Sequence, residues 1–326
     1  MRAEDLRTTP VSELQRLYGD EARDLPSGGL TALKDDPRAG ARAVAGRIEK
    51  RNHKAQAEGR RLTRLSAFEQ PLWDEGLVHV GGCDEVGMAP LAGPVIAAAV
   101  ILRPGTRIQG INDSKQLTTE EREALEPEIR SAAIAVGLGR AEVHEIDTLN
   151  IYHAGLLALR RAVLALNPQP QHLLVDARRL RDLPYPQQAI IRGDAKSITI
   201  GAASIVAKVH RDRLMARLDA EYPGYGFAAH KGYPTPEHLE ALERLGACAL
   251  HRRSFAPVAR RLGLIPGQQD LVRPSCPSAA IRAAPRRASA PAPARGDSSA
   301  GPASSPRPLW TCGRERGAPA RRGRSS

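Results

Sequence analysis

The chain has 326 residues, 41% of them apolar, a formal charge of +12, and four cysteines in no paired spacing. Eleven arginines against three acids put +8 of that charge in residues 265–326, which leaves one large core plus appendages and suits a polyanionic partner for the whole chain. Scattered thiols, no charged-then-apolar leader and no apolar run longer than Val95 to Leu102 exclude a disulfide scaffold and a spanning helix; the expectation is a soluble cytoplasmic monomer.

Residues 1–72 read as a basic helical extension. A short helix around Val11 to Tyr18 ends at the Leu25-Pro26-Ser27-Gly28-Gly29 break, and a long helix runs from after Pro37 to about Leu65. Nine basic residues, among them Arg47, Lys54 and Arg64, face only Glu49 and Glu58 in it. Such a helix is either a solvated face or a hand on a phosphate backbone.

From residue 73 to 264 the pattern is that of an α/β domain. Leu77 to Asp84 and Gly93 to Leu102 read as antiparallel strands, Thr119 to Arg130 as an acid-rich helix, and Ala132 to Gly139 as a third strand. An amphipathic helix from Glu145 to Leu166 then leads to the strand His172 to Val175, a spacing that suggests a crossover to a parallel neighbour and so a mixed sheet. Ala189 to Arg192 is the fifth strand, followed by a long helix from Lys196 to Glu221, a Gly-rich loop to Tyr233, and a helix over Thr235 to Leu245. Residues 265–326 hold Pro, Ala, Ser, Gly and Arg with hardly a large apolar side chain, the composition of a disordered tail.

The chemistry is in the acids. Asp84 and Glu85 are adjacent at a strand end, just before a Gly- and Pro-rich turn; Asp176 closes Leu173-Leu174-Val175, and Asp194 follows Ile190-Ile191-Arg192-Gly193. Taken singly, each has an ordinary reading as a loop residue, a turn cap or a helix N-cap. Together they supply oxygen only, with no Cys or His at matching strand ends, and oxygen-only sites prefer Mg²⁺ or Mn²⁺ to Zn²⁺.

Six segments then carry a family resemblance across about residues 73 to 260: GCDEVGMAPLAGPVIAAAV at 82, INDSKQL at 111, LLVDARRL at 173, GDAKSITIGAASIVAKVHRDRLM at 193, YPGYGFAAHKGYPTPEHLEAL at 222 and HRRSFAPV at 251. In this order they resemble bacterial ribonuclease HII, and INDSK and HKGY speak for that type rather than its type III cousin. The resemblance implies a ribonuclease H-like mixed five-stranded sheet flanked by helices. It also implies an endoribonuclease that cleaves RNA in RNA/DNA hybrids and ribonucleotides embedded in duplex DNA.

By the same resemblance Asp84, Glu85, Asp176 and Asp194 are the catalytic, metal-binding set for Mn²⁺ or Mg²⁺. Asn112, Ser114 and Lys115 are expected at the nucleic-acid backbone, Lys196 and Ser197 at a phosphate through a helix start, and Tyr233 on a sugar. The turn Gly87-Met88-Ala89 stands where the family usually has Gly-Arg-Gly and senses the 2′-OH through main-chain groups. Ala89 would put a Cβ where glycine allows positive φ, and Ala177 replaces the glycine of Val-Asp-Gly. Cleavage is expected to survive both changes, while strict preference for a single ribonucleotide is expected to loosen.

Overall fold

The computed structural model describes residues 2–265, so the expected unfolded tail beyond Ile265 lies outside the described residues. Helix α1 (Val11–Leu14) continues as a wider π-helical turn to Asp20, and α2 (Gly29–Lys34) follows the predicted break. The long helix α3 spans Ala39–Leu65. Its first half joins Leu6, Leu14, Leu17 and Leu33 in a small apolar cluster through Val44 and Ile48, whereas Leu62 and Leu65 enter the main core. Residues 52–57 between them are exposed on every side. The helix is therefore fastened at its two ends, which explains why so few apolar residues suffice.

After α4 (Glu69–Asp74) come β1 (Val80–Val86) and β2 (Val95–Leu102), then α5 (Thr119–Ala132), β3 (Ala133–Ala141), α6 (Val143–Leu149) and α7 (Ile151–Leu164). Strands β4 (His172–Asp176) and β5 (Gln187–Ile190) complete the sheet, and α8 (Ile198–Glu221), α9 (Phe227–His230), α10 (Pro236–Leu245) and α11 (Ala256–Arg261) end the described chain. The sheet order is β3-β2-β1-β4-β5, antiparallel across β3-β2-β1 and parallel across β1-β4-β5. The mixed five-stranded sheet is as expected, with one topological difference. β4 does not pair with the preceding strand β3: β2 and β1 lie between them, and β4 pairs with β1.

Helices cover both faces. Gly82, Leu174 and Ile200 belong to the α8 side, while Cys83, Val175, Ala158 and Val163 belong to the α7 side. β2 is buried at all of its positions, the signature of a central strand covered twice. Burying each of its larger aliphatic side chains contributes roughly 1.5–3 kcal/mol. Gly82 sets the spacing to α8: a Cβ there would stand 2.3 Å from the Thr199 carbonyl carbon, so any side chain would push the helix off the strand that carries the acids.

The single helix expected from Glu145 to Leu166 is two. Asn150 takes a left-handed φ of 68° and its side chain accepts from the His153 N–H, capping α7. With ψ 165° it lies in a region that residues other than glycine seldom enter, and apolar periodicity alone could not reveal the break. α5 starts as its Thr118-x-x-Glu121 signature dictates, with both capping-box bonds formed.

Candidate active site

Parallel pairing of β1 with β4 registers Cys83 with Val175, so the next residues stand side by side, Asp176 as the last residue of β4 and Asp84 two residues before the end of β1. Laterally paired residues share a face, and this pair shares the α8 face with Gly82 and Leu174. Asp194 follows β5 in a 3-10 turn (Gly193–Ala195) that leads into α8. The Gly193 N–H donates to Asp176 Oδ1 at 2.7 Å, bringing the third acid's turn against the second acid. Glu85, one residue on from Asp84, points to the opposite face and meets Arg178 Nη2 at 2.9 Å.

The electrostatics are those of crowded carboxylates. Burial, then the neighbouring Glu85, pushes Asp84 up to about 8; burial, eased by Arg178, leaves Glu85 at about 7. Asp176 is raised too, chiefly by burial. Glu85 Oε2 is buried without a hydrogen-bond partner. Lys115 Nζ lies 3.4 Å from Asp194 Oδ2 while its side chain is 79% exposed, so a cation from the 112–115 turn reaches the acids from outside.

Among the described residues no three acids close on one point as a ready-made chelate. Arg178, Lys115 and main-chain N–H groups occupy part of the oxygen set. The donors nevertheless fit a hard divalent cation. They are carboxylate oxygens only, they crowd enough to raise each other's proton affinity, and one buried oxygen is left over.

The other expected site residues divide. Ser114 is buried with its hydroxyl 2.8 Å from Ser204 Oγ, and the Ser204 side chain acts to lower the proton affinity of Asp84. Ser114 braces the acids rather than facing outward. Asn112 and Lys115 stay accessible. Lys196 is exposed, whereas Ser197 contradicts its expected role: it is fully buried (0% exposed), caps α8, and donates its hydroxyl to Glu69. Glu69 Oε1 also accepts from the Thr199 N–H and hydroxyl, so the helix start expected to hold a phosphate already holds a carboxylate. Glu69 and Arg178 were not evident in sequence, because a lone Glu and a lone Arg carry no spacing signal.

In the 87–89 turn Gly87 has φ +90°, Met88 is half-buried and Ala89 is exposed. Ala89 is not among the residues with positive φ, so its Cβ brings no backbone strain. The expected strain falls at Ala177, with φ +51°. Tyr233 is held from below. The Cys248 N–H donates to His251 Nδ1, which leaves the His251 proton on Nε2 to donate to His238 Nε2 at 3.1 Å; His238 Nδ1–H then donates to the Tyr233 carbonyl at 2.8 Å. Burial pushes His251 down to about 4, so this relay runs on neutral rings.

A helix-flanked mixed sheet with acids at the ends of β1 and β4 and just past β5 defines the class of ribonuclease H-like nucleases. The sequence model of the family described as Ribonuclease HII matches residues 81–258, and that of the Ribonuclease HII N-terminal domain matches residues 15–73. Ribonuclease HII of Anaeromyxobacter sp. (strain Fw109-5) is 58% identical over 280 residues, covering 86% of this chain and 89% of the relative. The Myxococcus xanthus (strain DK1622) protein of the same name is 55% identical, covering 81% and 90%. Ribonuclease H2 of Pyrococcus horikoshii OT3 superposes with a TM-score of 0.51 at 26% identity, over 57% of this chain and 97% of that one.

The chain belongs to the ribonuclease HII family. It is a ribonuclease H, a divalent-metal-dependent hydrolase that cleaves RNA in RNA/DNA hybrids as an endonuclease. No helix among the described residues is long and apolar enough to cross a membrane.

Proposed function

We propose that the enzyme cuts at ribonucleotides embedded in duplex DNA as well as within longer hybrids, with Asp84, Glu85, Asp176 and Asp194 holding two divalent cations, Mg²⁺ or Mn²⁺. The observation that carries this reading is the side-by-side placement of Asp84 and Asp176, with the Asp194 turn hydrogen-bonded to the second. When bound, such ions activate a water and stabilise the leaving oxygen of a phosphodiester. The chain's own residues do the rest. Lys115 and Asn112 meet the backbone of the cleaved strand, the 87–89 turn meets the ribose hydroxyl, and Tyr233 packs on the following sugar. Arg178 holds Glu85 in place, itself seated 5.1 Å from the Tyr152 ring centre.

On this reading residues 73–264 are the catalytic domain and 1–72 an extension that lengthens the nucleic-acid track. A cleft of about 750 Å³ lined by Lys54, Arg61, Arg64 and Asn112 supports that assignment, because it runs from α3 to the turn bearing Lys115. Arg61 Nη1 donates to the Ile111 carbonyl at 2.7 Å, which anchors the helix at that turn. The enzyme acts as a cytoplasmic monomer. Rates on a duplex with one ribonucleotide and on a long hybrid test the substrate reading. With Ala89 free of positive φ, the single ribonucleotide is expected to be cut faster; equal or faster cutting of the hybrid would remove the junction preference.

A further inference from the structure

Two buried cations behind the 87–94 turn have no part in the site so far. Arg211, on α8, and Arg252 are both 0% exposed, and among the described residues neither forms a salt bridge. Every hydrogen bond they make ends on a main-chain carbonyl. Arg252 donates to Gly93 through Nε at 2.9 Å and Nη2 at 2.8 Å, to Gly87 through Nη2 at 2.6 Å, and to Met88 through Nη1 at 3.1 Å. Arg211 donates to Pro94 through Nε and to Ala92 through Nη2, both at 3.1 Å, and to Lys231 through Nη1 at 2.9 Å.

A guanidinium without a carboxylate partner is costly to bury, and here carbonyl dipoles are what offset it. Because a trans peptide sets its C=O and the next N–H in opposite directions, drawing the Gly87 and Met88 carbonyls inward aims the N–H groups of Met88 and Ala89 outward. Among the described residues those two N–H groups have no internal partner. The third carbonyl held by Arg211 belongs to Lys231, two residues before Tyr233, and the Leu91 N–H donates to Gly232 O at 2.8 Å beside it. One side chain thus fixes the turn and the tyrosine loop to each other.

We propose that Arg211 and Arg252 are positioning residues for ribose recognition: from inside the protein they present two main-chain donors to the ribose hydroxyl and set their distance from Tyr233. The proposal rests on the reading of the turn and Tyr233 given above. It also gives Gly87 a definite reason. At φ +90°, a Cβ on residue 87 would stand 2.3 Å from Arg211 Nε and would displace that guanidinium.

The test is binding in an Asp84→Asn background, which removes cutting. Affinities are measured for a duplex with one ribonucleotide and for the same duplex in all-DNA form, beside the thermal midpoint. Arg252→Lys and Arg211→Lys keep the charge but lose the planar fork. Each is expected to lower the ratio of the two affinities at least tenfold while the all-DNA affinity stays within twofold. Should the arginine variants fail to fold, Gly87→Ala keeps both arginines and is expected to give the same loss of ratio. An unchanged ratio in folded variants overturns the proposal, as does an equal loss of affinity for both duplexes. A parent that does not discriminate at all sinks the ribose reading of the turn, and the positioning role with it.

Discussion

Two buried carboxylate environments lie fifteen residues apart in sequence; burial raises the proton affinity of both, and they differ in what surrounds them. Glu69 sits at the start of α8 with hydroxyl and N–H donors from Ser197 and Thr199 gathered on one of its oxygens. Asp84 and Glu85 sit at the end of β1 among other acids, and burial together with those neighbours raises their proton affinity. The first arrangement gathers three donors on Glu69 Oε1 and leaves Oε2 without a partner, and those donors, all from the start of α8, hold α4 to α8. The second leaves carboxylates in need of a cation. What separates a structural acid from a functional one here is its company rather than its depth.

Removing one acid from each environment breaks the comparison most sharply. Asp84→Asn is expected to lower cleavage at least about 10³-fold, because the acids act as a unit. Without metal the same change should raise the thermal midpoint at pH 8, since it relieves a crowded charge. Glu69→Ala is expected to cost about 3 kcal/mol in a denaturant titration by stranding its buried donors, while stabilisation by added Mg²⁺ persists. A Glu69 variant that lost the metal response but not stability would reverse the two roles.

The pH dependence sharpens the contrast. Asp84 and Glu85, at about 8 and about 7 when folded, keep protons that the unfolded chain releases near pH 4 to 5. At these two acids the native state therefore binds more protons than the unfolded state; between about pH 6.5 and 8, above the range in which the buried His251 pulls the other way, the stability of the metal-free protein falls as pH rises. Scanning calorimetry should show this decline, with Mg²⁺ restoring more stability at pH 8 than at pH 6. A metal-free midpoint that rises over the interval would show that the acids are not crowded. The smallest effect lies at Ala177, where φ is +51°: Ala177→Gly is expected to stabilise by about 0.5–1 kcal/mol, seen as a higher urea midpoint.

Much of this was legible in the sequence because strand ends announce themselves. Apolar runs closing on Asp84, Asp176 and Asp194 marked both the strands and the acids, and the run ending at Leu102 read as the antiparallel partner of the first strand. What sequence could not show is what converges from a distance. Glu69 lies 128 residues from the Ser197 hydroxyl that it receives, so the start of α8 looked open to phosphate when it was already filled. The strain assigned to Ala89 belonged to Ala177, since a glycine-for-alanine difference does not say which position takes positive φ. Asn150 broke a helix that apolar periodicity ran straight through.

On the proposed reading, acids from β1, β4 and the turn after β5 act together, with a divalent ion, on the phosphodiester beside a ribonucleotide. Mapping the cleavage products of a duplex carrying one ribonucleotide, with Mg²⁺ or Mn²⁺ and with chelator, tests it most directly. Cutting confined to the ribonucleotide, dependent on the ion and absent from the all-DNA duplex, is the expected result. Cutting that persists in chelator, or that falls equally on DNA alone, would contradict it.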